Sequence, residues 1–151
     1  MKADNRLLFQ GMLLFLVALL TGLLLVASPS FVANPRGVLA GHLEAALNGM
    51  FIILVALFFN SLQLSAGQTR VLRGALLYAG FANWFFTTLA GVLGTSESTP
   101  LAGAGHHAGP VAEQAILGAL ITVAISMLVA VVLLLVGLRR GLAVTPSVEL
   151  A

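Results

Sequence analysis

Residues 38–64 read VLAGHLEAALNGMFIILVALFFNSLQL, with Glu44 as the only formally charged side chain in the run. A helix rises ~1.5 Å per residue, so about twenty apolar residues cross the ~30 Å hydrocarbon core of a bilayer. A helix also satisfies its own backbone hydrogen bonds where no water can. The run therefore predicts a membrane-spanning α-helix. Outward from it, three more stretches have the same character: Leu7 to Ala27, Val71 to Leu93 and Val111 to Leu138. The expectation is an all-α integral membrane four-helix bundle, a single transmembrane domain over residues 1–151. The connections carry chain breakers: Ser28-Pro29, Asn34-Pro35, Ala66-Gly67 and a Gly/Pro/Ser-rich stretch from Gly94 to Pro110.

Composition agrees with this reading. Hydrophobic residues make up 60% of the chain and charged ones 8%, against about 25% charged in a soluble domain. The pI near 10.0 rests on seven Lys and Arg against five Asp and Glu. The basic residues stand at helix ends, not in a patch, which argues against nucleic acid as a partner and for membrane lipids. Cysteine is absent, which excludes disulfides, thiolate metal sites and a cysteine nucleophile.

The same charges orient the bundle. Lys2, Arg6, Arg70, Arg73, Arg139 and Arg140 fall on one side of the predicted spans, and Arg36 on the other. The positive-inside rule then places both termini in the cytoplasm of a bacterial-type inner membrane. The basic start, apolar run and small residues around Phe31-Val32-Ala33 resemble a cleavable signal. The run of about twenty residues exceeds the 7–15 of a signal core, and cleavage would leave an odd number of spans. A retained first span is expected.

Polar side chains inside spans are costly and mark function or interhelical contacts. His42 is the only histidine within a span. At helical spacing its face continues through the small residues Ala45, Ala46 and Gly49, a shallow surface on which a planar macrocycle could rest with His42 as axial ligand; a small-residue face for helix packing is the plainer alternative. Asn48 lies about a third of a turn from His42 and can donate to a ligand oxygen without burying a charge. Glu44 is expected near the outer interface, solvated. On the third span Gly80, Asn83, Thr87, Gly91 and Gly94 form one stripe, and Asn83 lies at about the same depth as Asn48, so the two amides are expected to meet. They would either bound a pocket or simply pair. Gln114, Gly118, Thr122 and Ser126 recur every four residues on the fourth span, a stripe suited to helix packing. His106 and His107 lie in the outer loop with no third ligand nearby. Motifs for phosphate binding, zinc hydrolysis and a nucleophile elbow are absent from the sequence, as are paired intramembrane carboxylates.

His42 followed six residues later by Asn48-Gly49-Met50, with Ala46-Leu47 before it, resembles the second helix of the styrene oxide isomerase family. The similarity continues more weakly through Ser61-Leu62, the basic loop around Arg70, and Gly80 with Asn83. The resemblance implies a four-helix homotrimer holding haem b between subunits, with His42 as ligand to the haem iron and Ala45, Ala46 and Gly49 beside the ring. It further implies that ferric haem acts as a Lewis acid, rearranging a lipophilic epoxide to a carbonyl, while Asn48 and Asn83 help hold the substrate oxygen. The third helix departs from the family pattern. Ala79 stands where the family has an acidic residue, and Thr87 where it has a tyrosine thought to orient the epoxide, so haem binding carries over more fully than epoxide isomerisation. Phe81, Trp84, Phe85 and Phe86 offer an aromatic wall that would keep the site dry. Three readings stay open from sequence: a haem-dependent isomerase, a haem-binding membrane protein without isomerase activity, and a cofactor-free accessory or transport protein.

Overall fold

Helix starts are set by polar side chains that take up free amide hydrogens. In the computed structural model, which describes residues 3–27, 30 and 32–144, Asp4 Oδ1 accepts from the Leu7 amide at 2.9 Å and α1 (Asn5–Ala27) follows. Asn34 accepts from the Arg36 amide at 3.0 Å ahead of Pro35, the first residue of α2 (Pro35–Phe58). One tighter turn, Phe59–Ser61, closes that helix. Ser65 and Gln68 form a reciprocal capping box that starts α3 (Ala66–Leu93), and Gly94, left-handed at φ 73°, ends it. α4 (Pro110–Val144) completes the chain. There is no strand among the described residues, and all four helices are long and apolar enough to cross a membrane.

The bounds differ from the sequence reading mainly at one connection. Ala66-Gly67, read as breakers, form the first turn of α3 because the capping box begins the helix there. The turn between α2 and α3 falls instead at residues 62–65. Ser28-Pro29 and Phe31 lie outside the described residues, as does Lys2.

Each helix packs on the next in order, so α2 is held between α1 and α3 and α4 is held mainly by α3. Glycine permits the closest of these approaches. A Cβ added to Gly91 would lie 2.3 Å from the backbone nitrogen of Val38, and one on Gly37 would lie 2.6 Å from Cα of Gly91. A Cβ on Gly41 would strike Thr88, and one on Gly49 would lie 2.9 Å from the Phe15 nitrogen on α1. Helices in lipid associate by such packing, since lipid tails are as apolar as leucine. Leu7, Leu14, Ile52, Leu72 and Leu76 are fully buried between the helices, while Leu20, Leu23, Leu128 and Leu135 are exposed on the perimeter, where lipid would cover them.

The expected packing stripe on α4 is not the one used. Gln114, Gly118 and Thr122 are exposed and nothing lies within 4 Å of a Cβ at Gly118. Ile116, Val123, Ala130 and Leu134 are buried instead. The heptad-like apolar series outcompetes the polar one for the interior, and Thr122 is tied to α3 only through its hydroxyl, 2.6 Å from that of Tyr78.

Contacts at the end where α1 and α3 begin gather the basic residues. Arg73 forks onto Asp4, with Nη1 donating to Oδ1 at 3.1 Å and Nη2 donating to Oδ2, and its guanidinium stands 4.8 Å from the Phe59 ring centroid. The Asp4 amide donates to the Ala56 carbonyl at 2.9 Å, and Arg140 donates to Gln68 at 3.1 Å. By element order Arg6, Arg70 and Arg139 share this end, and Arg36 stands at the other.

The Arg73 guanidinium holds the Asp4 carboxyl below its ordinary range against the opposing effect of burial, with help from the Leu7 amide. A carboxyl depressed in the folded state contributes stability above its unfolded value, near 3.8, and loses it as pH falls through the folded value. Asp4→Asn is therefore expected to lower stability by ~1 kcal/mol at neutral pH, with a deficit that shrinks below pH 3.8, followed by thermal unfolding in detergent. Gly91→Ala is expected to cost about 1–3 kcal/mol by overpacking in the same measurement, because the obstructing atoms are backbone.

Candidate functional site

α2 carries polar groups on two opposite sides, and each side meets a different neighbour. On the α1 side, His42 Nδ1 lies 2.7 Å from the Ala18 carbonyl oxygen. A carbonyl only accepts, so Nδ1 carries a proton, and in the neutral ring the lone pair is on Nε2. Gly22 makes room for the ring, since a Cβ there would lie 2.9 Å from it. Ala45 is fully buried and Gly49 is packed on the α1 backbone. This small-residue face is thus enclosed within the chain, with Gly49 against α1, and the open flank of His42 is bordered by exposed Leu39 and Leu43 and by half-buried Ala46.

On the α3 side, Glu44 is the centre of a polar cluster. Its Oε2 accepts from Asn83 Nδ2 at 2.7 Å and, more weakly, from Asn48 Nδ2 at 3.5 Å. Thr87 Oγ1 donates to Asn83 Oδ1 at 3.3 Å, which fixes the amide so that its nitrogen faces the carboxylate. The two asparagines do share a level, as expected from sequence, but they meet through Glu44 and not directly. Glu44 is half-buried and engaged, where a solvated position was expected. The signal was legible in part: Glu44 and Asn48 are four residues apart on one helix face, in line with Asn83.

This cluster forms one wall of a cleft of about 420 Å³ between α2, α3 and α4, with Leu120, Val123 and Met127 of α4 opposite and Thr99 of the α3–α4 loop also lining it. The volume falls within the ~300–1,000 Å³ of small-molecule sites, and so does the pairing of an apolar wall with few polar groups. The aromatic wall expected from α3 lies elsewhere. Trp84 Nε1 donates to Thr21 of α1 at 3.0 Å, and Phe85 is exposed. His42 does not line the cleft; it stands across α2 from it. Tyr78 reaches α4, and Ala79 is fully buried.

The loop above the cleft is fastened by a carboxylate at the start of α4. Glu113, 4% exposed, accepts from the amides of Ser96 and Ala108 through Oε1 and from those of Ser96 and Glu97 through Oε2, at 3.0–3.1 Å. Asn34 donates to the Ala102 carbonyl at 2.7 Å from the start of α2. His106 and His107 sit in this loop without further metal-ligating partners: no group of three or more His, Cys, Asp or Glu side chains that could hold a metal ion occurs among the described residues.

These features define an all-helical protein of four helices, each long and apolar enough to cross a membrane, with a cleft of small-molecule size between three of them and a histidine whose Nδ1 meets a backbone carbonyl. The sequence profile described as styrene oxide isomerase matches residues 3–139. Hydroxylaminobenzene mutase HabB of Ectopseudomonas oleovorans is 42% identical over 138 residues, covering 91% of this chain and 82% of that protein. Hydroxylaminobenzene mutase HabA of the same organism is 33% identical over 132 residues, covering 87% and 95%. No solved structure matches. The chain belongs to the styrene oxide isomerase family, whose similarity to these mutases places it among isomerases and mutases.

Glu113→Ala would leave three amides, those of Ser96, Glu97 and Ala108, without their acceptor. Hydrogen exchange of residues 96–108 is expected to accelerate at least tenfold in this variant while amides at the centre of α2 remain as protected as in wild type.

Proposed function

We propose that this protein rearranges a small lipophilic arylhydroxylamine, moving its oxygen from nitrogen to a ring carbon, in the cleft between α2, α3 and α4. The observation that carries the reading is the Glu44–Asn48–Asn83–Thr87 cluster facing an apolar wall, in a chain 42% identical to a hydroxylaminobenzene mutase. An arylhydroxylamine has one weak bond, N–O, and its nitrogen activates the neighbouring ring carbons, so an isomerase has a chemically defined task. The α4 wall suits the ring. The amides of Asn48 and Asn83 suit the oxygen, with Thr87 setting the orientation of Asn83. The epoxide reading is the second, favoured by the family description; the same cleft would then hold a lipophilic epoxide on its way to a carbonyl. Thr87, in place of the tyrosine that orients an epoxide in the family pattern, favours the hydroxylamine.

His42 meets the requirement for a haem b ligand, because its Nδ1 proton is committed to Ala18 and its Nε2 lone pair is not. Bound there, ferric haem would supply a Lewis acid for the oxygen being moved. Leu39, Leu43 and Ala46 would border the ring in place of Ala45 and Gly49, which α1 covers. Since His42 stands across α2 from its own cleft, the proposal includes the homotrimer, in which one copy's His42 serves the cleft of the next. It also includes an orientation with the arginine-bearing end in the cytoplasm of a bacterial-type inner membrane, following the positive-inside rule, and substrate entry from the bilayer.

Purified protein in lipid vesicles, given hydroxylaminobenzene, is expected to form an aminophenol of unchanged composition. Phenylacetaldehyde from styrene oxide alone would support the epoxide reading, and no product from either would overturn the cleft as an isomerase site. The same preparation should show a Soret band that is lost or displaced in His42→Ala; a colourless folded protein from haem-replete cells would remove the haem from the proposal.

A further inference from the structure

We infer that Glu44 is the catalytic proton carrier of the rearrangement, taking the proton from the ring carbon that receives the oxygen and returning it to nitrogen. The inference rests on the arylhydroxylamine reading and assigns within it the step that this chain's own side chains perform.

The chemistry requires such a group. When the N–O bond breaks and the oxygen joins the adjacent ring carbon, that carbon holds both its original hydrogen and the new hydroxyl, and nitrogen is left as an imine N–H. Aromaticity returns only when the carbon loses its proton and nitrogen gains one. A carboxylate accepts the first proton, the C–H electron pair re-enters the ring, and the carboxylic acid then protonates nitrogen. The product is an aminophenol, the carboxylate is regenerated, and no oxidant or reductant is consumed. Carbon and nitrogen are two bonds apart, within reach of one carboxyl group. Opening an epoxide to an aldehyde differs: a hydride shifts within the substrate, and no base must collect a ring proton.

Glu44 has the placement for this work. It is nine residues beyond Pro35, about 14 Å along the helix axis, within a helix long and apolar enough to cross a membrane. A carboxylate at such depth is costly and calls for a reason. Only one of its oxygens is committed. Oε2 accepts from Asn83 and Asn48, whereas Oε1 makes no hydrogen bond among the described residues and Glu44 lines the cleft. Its partners are neutral amides, which hold the group in place without a counter-charge to compete for it. Asp4, by contrast, is bound through both oxygens by Arg73, and both oxygens of Glu113 are filled by amides. Among these carboxylates Glu44 alone has an oxygen to spare in a cavity. A purely structural link between α2 and α3 would be served as well by a glutamine, and this separates the two roles.

The experiment compares wild type and Glu44→Gln in vesicles on hydroxylaminobenzene and on its ring-deuterated form. Glutamine keeps the shape and an acceptor for Asn83 but cannot carry the proton. The expected result is a loss of at least ~100-fold in kcat, an unchanged thermal unfolding temperature, and a primary deuterium isotope effect larger than in wild type, because proton loss from carbon now limits the rate. A Gln variant as active as wild type overturns the assignment, and so does a slow variant with no increase in isotope effect, which would make Glu44 a positioning residue. Wild-type protein silent on hydroxylaminobenzene overturns the substrate reading, and this assignment with it.

Discussion

The bare backbone contact between Gly37 on α2 and Gly91 on α3, repeated one turn deeper where Gly41 meets Thr88, sets the spacing on which the rest of the structure depends. Nothing hydrophobic draws helices together in a hydrocarbon solvent, so contact distance has to be set by shape. With these helices nearly touching, Glu44 reaches Asn83 directly at 2.7 Å. A larger residue at the crossing would hold the helices apart and leave the carboxylate without its best donor, in a medium where that loss is severe. Gly49 against α1 does the same on the other side, bringing the Ala18 carbonyl within 2.7 Å of His42. One helix thus organises two polar sites because glycine lets both neighbours approach it.

Asp4, Glu44 and Glu113 solve the same problem with different donors. Asp4 has a guanidinium, at the end of the bundle where charge pairs belong. Glu113 has backbone amides, so its role is to fold a loop. Glu44 has side-chain amides on one oxygen only. The donor set matches the location in each case: full neutralisation at the rim, full saturation in the loop, partial satisfaction in the cleft.

Much of the fold was legible in the sequence because the constraint of a bilayer is one-dimensional. Runs of apolar residues of the right length fix the number of helices, and the grouping of Arg70, Arg73, Arg139 and Arg140 fixes which helix ends lie together. The glycine stripe on α3 faces α2, as its spacing implied. Two kinds of information were not available along the chain. Which face of a helix is taken by which neighbour depends on three-dimensional packing, so the small-residue face of α2 read either as a bed for a macrocycle or, more plainly, as a packing face, and α1 packs on it at Gly49, while the α4 stripe read as packed and is outside. The partner of a polar side chain was likewise hidden when it came from another helix. Glu44 read as solvated because Asn83 is 39 residues away, and the partners of Glu113 are loop amides with no side-chain signature. The capping box at Ser65 and Gln68 was readable, and outweighs the Ala66-Gly67 pair that obscured it.

α4 is held at its tips by Glu113 and the loop above and by Arg140 and the Gly137 carbonyl below, and between them by the Tyr78–Thr122 hydroxyl contact, while Ala124 at the cleft rim is exposed. With substrate entry from the bilayer, as proposed, the relevant supply of a reactant would be its amount dissolved per volume of lipid. Saturation would then depend on how strongly a compound partitions and on how much bilayer is present. Two compounds bound equally well by the protein would be consumed at different rates if one prefers oil and the other water.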